Sequence, residues 1–198
     1  MERVLSKSLI KVIALALTFV LLSACSPKFN WRTVQSPDQH YIALFPGKPE
    51  KIDRQIAYKD YELAQALEAV KIDDDIYSIS TTRLSSQQAA LSPSIVAQLQ
   101  TNLLDRAQAS GGSVMIDDGH YQTTNHQRLP IKDYFVNFST NGKVMQSMRV
   151  RWITRATDSG ASFVYQISVL HLNPDSTDAK LLFSKEEYAN FFNGFYPE

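Results

Sequence analysis

The chain has 198 residues, and its 20 Lys and Arg balance 20 Asp and Glu, giving a formal charge of zero. A nucleic-acid binder shows a basic surplus that complements phosphate contacts, and none exists here. A single cysteine excludes a disulfide framework, and an aromatic content of 11% spread along the chain excludes a disordered linker.

Arg3, Lys7 and Lys11 form a positive lead, and Val12 to Leu22 follow as eleven residues of which only Thr18 is polar. This is the layout of a secretory signal. The apolar run is shorter than the ~20 residues of a spanning helix, so cleavage is expected rather than retention as a membrane anchor. The quartet Leu22-Ser23-Ala24-Cys25 resembles the lipobox of bacterial lipoproteins. The resemblance implies removal of Met1 to Ala24, thioether lipidation of Cys25 and acylation of the new amino terminus, a modification read out by palmitate labelling. It also implies sorting: Asp after the cysteine favours inner-membrane retention in Gram-negative lipoproteins, whereas Ser26 suggests the outer membrane, on its periplasmic side. Lipidation of Cys25 would consume a thiol with no partner in a disulfide-permissive compartment, and several acyl chains anchor stably where one is marginal.

The expected organisation is a signal peptide over residues 1–24, a lipidated tether over 25–30 and one domain over 31–198. Without residues 1–24 the balance is 17 basic against 19 acidic residues, close to neutral. Ser26 to Asn30 supply five residues of at most about 3.3–3.6 Å each, so the domain is expected close to the membrane surface.

Trp31 to Val34 and His40 to Phe45 read as strands around the turn Ser36-Pro37-Asp38-Gln39, and Pro46 and Pro49 end the second. Ile52 to Tyr58, Tyr61 to Ile72 and Ile76 to Leu84 are further strands. In the middle one, period-two alternation sets Tyr61, Leu63 and Leu67 on one face and Glu62 and Glu68 on the other. Asp73-Asp74-Asp75 is the turn that follows.

Ser92-Pro93 starts a helix, with Ser92 as N-cap and Pro93 at the first helical position. Ile95, Val96, Leu99, Leu103 and Ala107 recur at helical spacing, and Gly111-Gly112 closes it. A second strand set follows: Val114 to Ile116, Tyr121 to Arg128, Ile131 to Ser139, Lys143 to Arg155 and Ser162 to Leu172. Asn141-Gly142 between two alternating runs predicts a hairpin. Val144, Met148, Val150 and Trp152 point one way, and Arg149, Arg151 and Arg155 the other. Thr157-Asp158-Ser159-Gly160 makes the next turn, and Phe163, Tyr165, Ile167 and Val169 the inward face of the last strand.

Ser184-Lys185-Glu186-Glu187 has the form of a capping box, with Phe183 and Tyr188 as a hydrophobic staple. Tyr188, Phe191, Phe192 and Phe195 repeat as an aromatic stripe. The fold class is therefore α+β, an antiparallel sheet flanked by helices.

This order of elements, with Ser36-Pro37-Asp38 leading through Tyr41 to Phe45-Pro46-Gly47-Lys48-Pro49, and with the carboxy-terminal run Tyr188 to Phe195, resembles the PsbP/Mog1-like α/β/α sandwich over most of the domain. Gln39 stands where many such turns have Gly. The family includes photosystem accessory subunits, a Ran-binding protein and many bacterial lipoproteins, and it is mainly non-enzymatic. The resemblance implies an interaction module and carries over no functional residue.

Three clusters bear on chemistry. Arg149 and Arg151 lie two apart on an exposed strand face with Arg155 beyond and suit an anionic head group or acidic partner; cross-strand pairing with an acidic neighbour such as Asp133 is the preferred reading. His120 and His126, with Asp117 and Asp118 near, are six residues apart, about 20 Å on an extended strand, so they meet at a metal only if the chain bends at Thr123-Thr124-Asn125. Asp73-Asp74-Asp75 lacks the glycine and distal Glu of a calcium loop and reads as a solvated turn. No nucleophile elbow, zinc-protease motif or phosphate loop is present, so no catalytic residue, metal or cofactor is assigned. The expected function is a non-enzymatic interaction or assembly-support module of the cell envelope, bound to an envelope protein; a small-molecule or lipid carrier and a hydrolase of unrecognised type are the alternatives.

Overall fold

The computed structural model describes residues 28–175 and 177–198. The expected signal peptide, Cys25 and Ser26 lie outside the described residues. Trp31–Glu198 forms one of two units of the chain and is described by itself.

Strand β1 (Arg32–Ser36) turns through a short 3-10 segment, Pro37–Gln39, into β2 (Tyr41–Phe45). His40 closes that turn at φ 54°. A meander follows: β3 (Glu50–Tyr58), β4 (Tyr61–Ile72) and β5 (Asp75–Leu84). A 3-10 turn, Ala89–Leu91, then leads into α1 (Ser92–Ala109). Beyond it come β6 (Ser113–Gln122), β7 (Arg128–Thr140), β8 (Lys143–Ala156) and β9 (Ser162–Leu172). The chain ends with α2 (Ala179–Leu182), α3 (Glu186–Asn193) and β10 (Phe195–Pro197).

Among the described residues every strand pairing is antiparallel. One sheet has seven strands in the order β3-β4-β5-β9-β8-β7-β6; the other has three, β1-β2-β10. The α+β reading holds at this level. The second sheet was not expected, because β10 is three residues long and carries no periodicity of its own.

Both faces of the large sheet are covered. On one, Leu103 and Ala107 of α1 pack on Tyr134, Val136, Val150 and Trp152, and Ile95 joins Tyr58, Leu63, Leu84 and Val164. On the other, the aromatic side chains of α3, with Phe183 and Phe195, meet Tyr41 and Phe45 of the small sheet and Tyr77, Phe163, Tyr165 and Ile167 of the large one. Because β9 is the central strand, both its faces are buried.

Several local expectations are corrected. Glu68 is not on a solvent face: it is 5% exposed and accepts a hydrogen bond from the Ser36 hydroxyl at 2.7 Å. Ser92 is the first helical residue and not the N-cap; its hydroxyl lies 2.8 Å from the Ala89 carbonyl and 2.9 Å from Ser162 Oγ. Val114 to Ile116 and Tyr121 belong to one strand, β6, and Tyr121 to Arg128 is broken by a turn in which His126 has φ 63°. The capping box does not form: Lys185 is the N-cap of α3, and the Ser184 hydroxyl donates to the Leu181 carbonyl. Phe183 and Tyr188 do touch, ring centroids 4.9 Å apart. Phe195 lies beyond the helix, at the start of β10.

The Asn141-Gly142 hairpin forms as expected, with φ 52° and 75°, the positive values a type I′ turn requires. Its register does not run unbroken. Thr140 pairs with Lys143 and Ser139 with Val144, but Phe138 pairs with Gln146, so Met145 is the extra residue of a β-bulge. Without the bulge Asp133 would stand opposite Val150; with it Tyr134 takes Val150, and Asp133 shares a face with the arginines.

Candidate anion-binding groove

Asp133, Arg149 and Arg151 form the floor of the site. Arg151 donates to Asp133 from Nε (to Oδ1, 2.8 Å) and from Nη2 (to Oδ2, 2.9 Å), the bidentate fork that matches a carboxylate. Its Nη1 reaches the carbonyls of His120 at 3.2 Å and Phe192 at 3.4 Å, tying β6 and α3 to the sheet. Arg149 Nη2 donates to Asp133 Oδ2 at 2.9 Å. The Arg149 guanidinium lies over the Phe192 ring, 4.1 Å from its centroid, while its Nε is buried with no acceptor among the described residues. Burial pulls the Arg149 pKa below its ordinary value; Asp133 opposes that shift, and the like charge of Arg151 adds to it.

The arginines are therefore not on an exposed strand face, as expected from sequence. Arg151 is 1% exposed, and the preferred pairing with Asp133 is the arrangement found for Arg149 and Arg151. The face reads as polar along the strand yet lies under α2 and α3. Arg155, on the same face, lies outside the groove; its Nε is buried with no acceptor among the described residues.

Above this floor an open groove of about 680 Å³ runs between β6 and the α2–α3 segment, lined by Asp117, Asp118, His120, Gln122, Arg128 and Lys180 among others. Gly119 makes room for the floor: a Cβ there would come within 2.6 Å of Asp133 Oδ2. Lys180 Nζ lies 2.6 Å from Asp117 Oδ2 across the groove, and that hydrogen bond holds the Asp117 carboxyl below its ordinary pKa. Lys132 pairs with Asp118 at 2.5 Å, which raises the Lys132 pKa.

The other clusters resolve differently. The chain does bend at Thr123-Thr124-Asn125, and Thr123 bonds to Asn125, but among the described residues no three of His, Cys, Asp and Glu gather where a metal ion could be held. Asp75 is not part of a solvated turn. It is the buried first residue of β5, accepting from Tyr188 Oη at 3.0 Å and facing His171 Nδ1 at 2.6 Å. Across the sheet Asp75 pairs with His171, His171 with Ser147, and Ser147 with Asn137. Ser147 is fully buried, and its hydroxyl donates to Asn137 Oδ1 at 2.6 Å, so its proton is not directed at His171.

Sequence reasoning missed Lys180, Gly119, Phe192 as a stacking surface, and His171. Only the strand register and the return of the chain over the sheet bring them to Asp133 and Asp75. No family model and no curated protein matches the chain.

Proposed function

We propose that the chain is a lipoprotein anchored through Cys25 to the periplasmic side of the outer membrane. On this reading Trp31–Glu198 is a non-enzymatic interaction or assembly-support module of the PsbP/Mog1-like kind. The groove beside β6 is its binding face for an envelope protein. The observation that carries the binding reading is the Arg149 guanidinium, which lines an open groove and, among the described residues, makes one hydrogen bond, from Nη2 to Asp133.

Two experiments test it. A photo-crosslinking residue at the exposed positions Asp118 or Gln127 of the full chain, in intact cells, is expected to capture an envelope protein; capture of none from either position overturns the binding face. Palmitate incorporation is expected to be lost in Cys25→Ala and its processing blocked by globomycin, and a labelled Cys25→Ala chain overturns the anchor. A small-molecule carrier is the second reading, favoured by a groove of about 680 Å³, within the ~300–1,000 Å³ of ligand pockets. Native mass spectrometry of gently purified protein would then show a co-purifying ligand.

A further inference from the structure

The geometry points to a carboxylate-recognition site in the groove, with Arg149 as the contacting residue and Asp133 and Arg151 as positioning residues; this rests on the groove being the binding face. Two guanidiniums share one carboxylate on the floor, leaving one positive charge in excess. Arg151 is spent on Asp133 and on two carbonyls. Among the described residues Arg149 makes a single hydrogen bond, to Asp133, and its plane is held by Phe192 on one side with Phe135 at 5.5 Å. A guanidinium so oriented has lost little freedom still to lose when it binds, and its fork matches a planar pair of oxygens.

The charge of the lining sets the charge of the ligand. Asp117, Asp118 and Asp133 stand against Arg128, Arg149, Arg151 and Lys180, with Asp117 held by Lys180, so the groove carries one positive charge in excess. A carboxylate matches that single charge, whereas a phosphate dianion exceeds it. Gly119 supplies the opening: with no side chain above Asp133, a small group entering beside β6 meets the ion cluster and not a methyl. The carboxylate could belong to a free small acid or to the end of a polypeptide lying against β6, which is an edge strand of the large sheet.

Amide chemical-shift titration of the isotope-labelled full chain in detergent micelles tests this, reading Asp118, Gly119 and His120. The probes are N-acetyl-trialanine with a free carboxylate, the same peptide as its carboxy-terminal amide, sodium acetate and inorganic phosphate. The free-acid peptide or acetate is expected to shift these resonances saturably, and the amide and phosphate at least tenfold more weakly. A peptide at least tenfold tighter than acetate identifies a chain terminus as the source; comparable affinities identify a small acid. Arg149→Gln should weaken the carboxylate at least tenfold, with Arg155→Gln unchanged. If Arg149→Gln does not fold, Arg149→Lys, which keeps the charge and loses the fork, should still weaken it severalfold. Equal binding of acid and amide, phosphate binding as tightly as carboxylate, or a foldable Arg149 variant with native affinity overturns the site. Crosslinks beside β6 without carboxylate preference would overturn this inference and leave the binding face standing; carboxylate binding without crosslinks would overturn the envelope-protein partner and leave the groove as a site for a small acid.

Discussion

Asp133 is the residue on which the site depends. It accepts three hydrogen bonds from two arginines, and its side chain and that of Arg151 are almost wholly shielded from water. Charges withdrawn from water are tolerated only while paired, and removing one partner leaves the other uncompensated. Asp133→Ala is therefore expected to cost about 3–5 kcal/mol, measured by chemical denaturation; a loss below about 1 kcal/mol would show that water reaches the arginines. Glu68 presents the opposite case. It is buried beneath β2 with the Ser36 hydroxyl as donor, and the Tyr41 hydroxyl lies beside it with no well-formed hydrogen bond. Among the described residues no cation pairs with Glu68. Glu68→Gln keeps an acceptor for Ser36 and removes the charge, so the melting temperature should hold or rise, and a fall of several degrees would contradict this.

At the scale of the element, β8 and α3 decide most. The Met145 bulge turns the β7–β8 register by one residue, and a one-residue slip moves every side chain of a strand to the other face. Deleting Met145 should remove the bulge and leave a plain register in which Phe138 still faces Gln146 and Tyr134 still faces Val150, so Asp133 stays beside the arginines. A cooperative thermal melt should therefore persist, and its loss would show that the extra residue is needed to carry the hairpin into that register. In α3, Phe191 and Phe192 are both 0% exposed; Phe191 makes edge contacts with Phe45 and Tyr77. Phe191→Ala should cost about 3–5 kcal/mol. Ser184 makes no cap, so Ser184→Ala should cost no more than about 0.5 kcal/mol. The two variants measured side by side separate stripe from cap. The aromatic stripe was legible in the sequence because it depends on spacing alone. The cap was not, because whether a side chain bonds the helix start depends on the backbone entering it, here drawn back towards Leu181.

For the whole molecule, the aromatic layer between the sheets sets the response to alkali. Burial raises the phenol pKa of Tyr41, Tyr77, Tyr165 and Tyr188 above the ordinary 10, with Glu68, Asp75 and Glu198 reinforcing it in turn. The folded chain thus holds protons that the unfolded chain releases near pH 10, so this stability is complete below pH 10 and is lost as pH rises above it. Phenolate absorbance and circular dichroism should report these four tyrosines ionising together with unfolding. Ionisation of all nine tyrosines with secondary structure intact would contradict it. The outer strands behave differently: β3 is largely exposed, with Ile52 at 57%, and its Lys51, Asp53 and Arg54 blunt an edge open to pairing.

What the sequence determined by itself was local. Alternation marked the strands, 3.6-residue spacing marked α1 and the aromatic face of α3, and Asn141-Gly142 marked its hairpin, since each depends on neighbours along the chain. Tertiary structure alone decided that β9 lies at the centre, that the arginine face is roofed over, and that Asp133, Arg149, Gly119 and Lys180 meet in one groove. Those outcomes depend on strand order, on a one-residue bulge and on the chain folding back through α2, α3 and β10. A local pattern states which side chains share a face, but only packing settles whether water or protein lies against it.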